Sequence, residues 1–354
     1  MDAQVARLET KRLAGLLDRF VCVRAVEMEG VDLSLFHFDY DETWCAFFLN
    51  ADRTIYGRYG TRASGGADMG VDVSLPGFEK ALEGALEIHA GYPANRASLL
   101  AKRGAPPPAK EIRSFPLFKS RFAEDPPRGC AHCHHVFEAL RSVPREARRP
   151  IPDELLYPYP KPDRLGLALH LDERATVKSV EPGSAAAGAG FQPGDRILAL
   201  EGQPVLSIAD VQWVLHHAKP PCEVAAEVDR RGARRRLSLP LAADWRRGEE
   251  ITWRASTRAM RPFGWEEATA DQRKACGVKE GALCVRVRGV PPVGSAMRAG
   301  LAVGDFVVEI DGSDAAVTEN QWIVYLMQRK VKGEPVSLVV VHDGKRLKRT
   351  MPAP

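Results

Sequence analysis

Residues 177–205 read VKSVEPGSAAAGAGFQPGDRILALEGQPV, and residues 287–315 read VRGVPPVGSAMRAGLAVGDFVVEIDGSDA. The two stretches align without a gap at an offset of 110 residues, so that Ala189-Gly190 falls on Ala299-Gly300, Gly194-Asp195 on Gly304-Asp305, and Glu201-Gly202 on Asp311-Gly312. An internal repeat of this kind is one supersecondary unit built twice.

Each position has a physical reading. Val177 and Val180, like Val287 and Val290, are strand residues that run into a Pro-Gly or Pro-Pro break, after which small residues make a short helical turn. Gly190 and Gly300 suit a helix C-terminus, and Phe191 or Leu301 then enters the core. Gly-Asp turns the chain into the next strand, and Glu201-Gly202 and Asp311-Gly312 are tight hairpin turns. An amphipathic helix follows each copy, marked by Ile208, Val211, Val214 and Leu215 in one and by Trp322, Val324, Tyr325 and Met327 in the other. Two more strands flank turns at Asp229–Gly232 and at His342–Lys345. The predicted product is a small, partly open β-barrel capped by a helix, present twice.

Both copies resemble the bacterial PDZ domains found in the trypsin-like high-temperature-requirement proteases and the site-two proteases. The resemblance runs from near Asp163 to the end of the chain. It implies that a peptide C-terminus adds as a strand to an exposed sheet edge, its carboxylate held by backbone N–H groups of a hydrophobic-Gly-hydrophobic loop. The matching loops here are Leu165-Gly166-Leu167 and Phe263-Gly264-Trp265. The second copy carries extra residues from Glu266 to Val278, resembling the short helix that protease-associated PDZ domains place after that loop. Neither a Gly-Asn-Ser-Gly-Gly loop nor a Gly-x-Ser-x-Gly elbow occurs, so a Ser-His-Asp triad has no anchor. Pure scaffolding is the alternative reading of the repeats.

The N-terminal hundred residues differ in pattern. Val5, Leu8, Leu13, Leu16, Leu17 and Phe20 mark one helical face, and Phe20 to Ala25 is β-prone. Cys45 to Leu49 and Thr54 to Tyr59 predict two strands around the turn Asn50–Arg53. A helix is predicted from Leu75 to His89, with Pro76 in its first turn. This order resembles the C-terminal part of a thioredoxin fold. The usual Cys-x-x-Cys before the first helix is missing, and Thr43-Trp44-Cys45 stands where that family carries a cis-proline. Cys22 and Cys45 on neighbouring strands are read either as a remnant redox pair or as inert core thiols.

Pro-rich polar stretches at 104–128 and 143–162 read as linkers. Between them, Gly129-Cys130-Ala131-His132-Cys133-His134-His135-Val136-Phe137-Glu138 places two thiols and three imidazoles in six consecutive positions. Cys-x-x-Cys-His is the attachment pattern of c-type haem, in which Cys130 and Cys133 would form the thioethers and His134 the proximal ligand. His89, Met260 and Met297 are candidate distal ligands. The same atoms, with His132 and His135, suit Cu or Zn. Cys130 and Cys133 could also cycle as a disulfide in a thioredoxin-like oxidoreductase with a redox partner protein.

The whole chain, 354 residues with 50 basic and 46 acidic side chains, carries a formal charge of +4, which gives no electrostatic case for nucleic acid. No apolar run is long enough to span a bilayer. The expected fold class is α+β multidomain, a partial thioredoxin-like α/β segment followed by two PDZ-type partly open barrels. The expected parts are 1–103 (thioredoxin-like), 104–162 (linker with the Cys-His motif), 163–243 (first PDZ) and 244–354 (second PDZ). The expected role is a non-proteolytic adaptor that binds peptide C-termini or strands and carries haem or another metal in a redox role. Haem attachment implies a periplasmic or otherwise extracytoplasmic site and a missing upstream signal, whereas a native start at Met1 implies the cytoplasm. The chain as a whole resembles a family of bacterial proteins joining these three parts.

Overall fold

The computed structural model describes residues 10–42, 44–60, 73–119, 130–292 and 294–354. The predicted positions Val5, Leu8, Thr43 and Gly129 lie outside them. The chain forms two compact units: one takes in the chain up to Ala139 together with Tyr157–Glu249, the other Leu140–Leu156 together with Glu250–Pro354.

In the first unit, helix α1 (Lys11–Leu17) starts at Thr10, whose hydroxyl accepts the Leu13 N–H at 2.9 Å. Strands β1 (Ala46–Leu49) and β2 (Ile55–Tyr59) form the expected antiparallel hairpin. Helix α2 (Leu75–Ala90) is capped by Ser74 and has proline in its first turn. Leu13, Phe48, Tyr56, Phe78 and Leu82 pack into one core, and Leu206 of the first repeat is part of that same core. The N-terminal segment and the first repeat are therefore one hydrophobic body.

Two expectations are corrected here. Residues 20–25 form no strand, and Val21 and Val23 are 95% and 89% exposed. Their β-branched side chains favour an extended backbone, but without a partner strand to complete the ladder that preference is not cashed into a sheet. Cys22 therefore lies exposed on irregular chain instead of facing Cys45 across a sheet. The described parts of the span read as linker also hold more structure than their composition suggests. Ile112, Phe115 and Phe118 are buried at intervals of three, and residues 134–146 form helix α3 (His134–Glu146).

The first repeat contains β3 (Leu167–Leu169), β4 (Val177–Val180), the short helix α4 (Ala185–Gly188), β5 (Arg196–Leu200), β6 (Gln203–Pro204), helix α5 (Ile208–His217), β7 (Cys222–Arg230) and β8 (Ala233–Leu241). Its strands form a two-stranded sheet, β3-β4, and a four-stranded sheet, β6-β5-β7-β8. The second repeat, in the second unit, contains β9 (Gly264–Glu267), α6 (Ala270–Ala275), β10 (Val285–Gly289), α7 (Ser295–Arg298), β11 (Phe306–Ile310), α8 (Glu319–Gln328), β12 (Pro335–His342) and β13 (Lys345–Pro352). Here the strands make one five-stranded sheet in the order β13-β12-β11-β10-β9. Neither copy closes into a barrel.

The repeat signature has the expected local causes. Glu201-Gly202 and Asp311-Gly312 all have positive φ, between +47° and +84°, as a primed hairpin turn requires. The Gly-Asp aspartates tie the preceding turn. Asp195 accepts the Gln192 N–H and Asp305 the Ala302 N–H, each at 2.9 Å. The outer partner differs: Arg230 clamps Asp195 with two 2.7 Å bonds, while His342 Nδ1 meets Asp305.

Candidate functional site

The two hydrophobic-Gly-hydrophobic loops sit just before or at the starts of β3 and β9, but their surroundings differ. In the first copy Leu165 and Leu167 are buried, and Gly166 has φ +74° with its N–H donated to Asp163 O at 2.9 Å. A Cβ at Gly166 would stand 2.3 Å from Ser184, so this glycine is fixed by backbone shape and packing alone.

Helix α5 beside this loop is already dressed by the chain itself. Residues 209–215 are all buried, leaving no exposed face. The backbone of Tyr159 is held at both ends, its N–H by His216 Nδ1 at 3.3 Å and its C=O by Gln212 Nε2 at 2.9 Å. The Tyr159 ring stacks on His216 with centroids 4.2 Å apart. Tyr159 has φ +48°, a left-handed conformation that costs on the order of 1 kcal/mol for a non-glycine residue and persists because these contacts fix it. At the other end of α5, Arg58 of β2 donates its N–H to Asp210 and its C=O accepts from the Ser207 hydroxyl. The Ser74 hydroxyl reaches the C=O of Leu171, just past β3. The pocket left between Tyr59, Val73, Leu171 and Ile208 has a volume of about 10 Å³, room for roughly one water.

The second copy presents a different surface. Phe263 and Trp265 are buried, Trp265 stacks on Trp322 of α8 at 6.0 Å, and Trp322 stacks in turn on Tyr325 at 6.0 Å. Gly264 is half-buried, its φ is not positive, and an added Cβ would meet nothing nearer than Gly289 O at 4.0 Å. Among the described residues, strand β9 pairs with β10 alone, in the register Trp265↔Val287 and Glu266↔Arg286, and ends the sheet. Glu266 and Glu267 are exposed on it. The indole N–H of Trp322 is buried with no acceptor among the described residues.

The cysteine-histidine cluster lies in the first unit at the start of α3. Ala131 is buried and its C=O accepts the Met28 N–H at 2.8 Å, while Phe137 packs edge-on against Tyr40. Cys130 and His132 are exposed, Cys133 and His134 half-buried and His135 buried. The imidazole centroid of His134 lies 4.2 Å from that of His135 and 5.9 Å from that of His132. His134 Nδ1 is 3.0 Å from Glu138 Oε1, and ligand atoms of His134, His135 and Glu138 all lie within 4.8 Å of one another. A carboxylate on Nδ1 orients the imidazole and leaves Nε2 for a metal ion. His135 Nδ1 accepts the His132 N–H at 3.1 Å, which must give way if that nitrogen is to bind an ion.

The His135 ring lies edge-on to that of His134, and the His132 ring is nearly parallel to it. Burial pushes the Cys133 thiol up, with Glu42 and Asp41 adding to it, and Cys45 is pushed well up by burial, with Glu42 and Cys133 contributing. Dithiol exchange needs the opposite, a thiolate stabilised at neutral pH. The sequence signal for this pair is its spacing: Glu138 is four residues after His134, the interval that shares a helix face. Of the suggested distal ligands, His89 is engaged by the Tyr56 hydroxyl at 2.8 Å, Met260 is buried and Met297 exposed.

Residues 176–225 match the PDZ domain family. That stretch covers most of the first repeat. A DegP-like periplasmic serine endoprotease of Pseudomonas savastanoi pv. phaseolicola is 30% identical over 171 residues, which is 47% of this chain and 34% of that protein. One from Pseudomonas fulva is 30% identical over 174 residues, with the same coverage. The chain thus spans about a third of the length of these relatives. Among solved structures, the HtrA-type protease AlgW with decapeptide matches with a TM-score of 0.23 at 19% identity, over 37% of this chain and 40% of that one. The chain carries a PDZ domain related to those of the DegP-like proteases. No described helix is long and apolar enough to cross a membrane.

Proposed function

We propose that the protein is a non-proteolytic, extracytoplasmic PDZ adaptor in which the second repeat receives a peptide tail or strand along β9, while the first repeat serves as internal scaffold. The observation that carries this reading is the edge position of β9, which begins within Phe263-Gly264-Trp265, since an unpaired strand edge supplies a ladder of backbone donors and acceptors. The unpaired Trp322 N–H nearby supports it, because an acceptor delivered by a ligand would relieve a buried orphan donor. In the first copy β3 also ends its sheet, but the Tyr159 segment and β2 lie against α5, which supports reading Leu165, Gly166 and Leu167 there as framework. The periplasmic naming of the DegP-like relatives supports the compartment.

A thioredoxin-like origin for the N-terminal segment rests on the order of β1, β2 and α2. For the Cys-His cluster, Zn(II) held by His134, His135 and Glu138 is the reading favoured over haem c on Cys130, Cys133 and His134, with Cu as the alternative ion. A borderline ion matches imidazole and carboxylate donors.

Screening the full chain against a library of C-terminal peptides tests the adaptor reading. Binders are expected, and Gly264→Trp should abolish them without unfolding the protein, because the glycine has open space around it. A library without binders would favour the scaffold reading for both copies, and binders indifferent to Gly264→Trp would overturn the assignment of the site to β9.

A further inference from the structure

Cys276 and Cys284 belong to no sequence motif, yet the fold brings them to one spot. Cys276 caps the C-terminus of α6, its N–H bonded to Gln272 O at 2.9 Å. Cys284 immediately precedes β10, its C=O accepting the Ala268 N–H at 3.2 Å. Between them the chain reverses through Gly277 and Gly281, both with positive φ. The two side chains are 7% and 1% exposed and share one small apolar cluster with Val308 and Val341. The Cys284 thiol is pushed up to about 11, first by burial and then by the neighbouring Cys276 thiol, to which it also hydrogen-bonds.

We propose that Cys276 and Cys284 form a reversible disulfide that closes the β9–α6–β10 connection of the second repeat. In the oxidation each thiol gives up a proton, one S–S bond forms, and the two electrons pass to an external disulfide such as oxidised glutathione, which is cleaved to two thiols. Reduction by a dithiol reverses the step. The bond would tie the end of α6 to the strand on which β9 pairs, removing slack from the connection beneath the sheet edge. Burial and a scarce thiolate make the reaction slow in the closed fold. Helix α6 has six residues and none of them is buried, so its local opening supplies access. The inference is independent of peptide binding.

Tryptic digestion reads it out directly, because Lys274, Lys279 and Arg286 place the two cysteines in separate peptides, residues 275–279 (ACGVK) and 280–286 (EGALCVR). The reduced full chain is incubated with oxidised glutathione at pH 8.5, free thiols are alkylated, and the digest is analysed without reductant. The expected product is ACGVK disulfide-linked to EGALCVR, lighter by two hydrogens than the pair of free peptides and separated by a dithiol. The same oxidation in denaturant should scatter among the seven cysteines instead. The thermal midpoint should rise on the order of 5 °C on native oxidation, and not in Cys276→Ser or Cys284→Ser. Recovery of both peptides as alkylated species or as glutathione adducts after prolonged native oxidation overturns the proposal, as does a linked yield no higher than in denaturant.

Discussion

Lys102 Nζ lies 2.9 Å from Asp210 Oδ1, and both side chains are 1% exposed. The pair joins the segment after α2 to the first turn of α5. Asp210 is further held by the backbone N–H groups of Arg58 and Leu206, and the Arg58 guanidinium lies 3.7 Å over the Trp213 ring. A buried carboxylate with these partners is tolerable, and one without the cation is not. Lys102→Met is therefore expected to destabilise the first unit by about 3–5 kcal/mol in denaturant titrations. The exposed pair of Arg12 with Glu83 gives the contrast, and Arg12→Ala should leave the denaturation midpoint nearly unchanged.

The Tyr159 segment occupies the side of α5 that Gln212 and His216 present. Gln212→Ala with His216→Ala removes both side-chain bonds to the Tyr159 backbone, each contributing about 1 kcal/mol. In a Gly264→Trp background, where the second copy is blocked, the double substitution should restore weak peptide binding through the first copy. Fluorescence titration with peptides from the library checks this, and a null result would show that the segment is held by packing alone.

His37 is largely buried against Trp213, and burial first, then Arg58, depresses its pKa to about 4. The native state thus prefers the neutral ring, while the unfolded chain protonates near the ordinary value of about 6.5. The contribution to stability is full above pH 6.5 and is lost as pH falls from there through 4, on the order of 3 kcal/mol in all. Replacing His37 by Leu should flatten that part of the stability profile of the first unit, measured by urea midpoints between pH 4 and 7.

The opposite sign holds at His342. Its hydrogen bond and charge interaction with Asp305 raise its pKa, so the stabilisation is complete below the ordinary histidine range and fades as pH rises through the raised value. The second unit should soften slightly on moving from pH 6 to pH 8.5. His342→Arg, which imitates the Arg230 clamp of the first copy, should remove that dependence.

At the Cys-His cluster, competition of Zn(II) against a chromophoric chelator should reveal one site on the full chain. Glu138→Gln is expected to weaken it about 10- to 100-fold, since a carboxylate that binds the ion or orients His134 is lost. Absence of a site, together with a positive pyridine haemochrome spectrum after expression with haem-attachment machinery, would return the cluster to the haem reading.

Local chemistry accounts for which elements could be foreseen. The hairpin Ala46–Tyr59 and the helix from Leu75 were readable because their apolar periods and end signals agree, with Ser74 and Pro76 marking the helix start. Residues 20–25 misled because β-branching reports a preference that only a partner strand can realise. The span around Ile112 and Phe115 read as linker because proline and charge outweighed its few apolar positions, yet those positions found a buried surface to fill. Likewise Cys276 and Cys284 carry no motif, and only the reversal through Gly277 and Gly281 brings them together.

The repeat of residues 177–205 at 287–315 was determined by sequence alone, because its glycines, aspartates and alternating apolar residues impose turns and strands within a few residues of themselves. How far the helix of the first copy is covered by other chain was decided by tertiary structure. That outcome depends on what distant chain, Arg58 and Tyr159 in the first copy, lays its backbone against the helix, and no local pattern encodes an encounter between segments more than fifty residues apart.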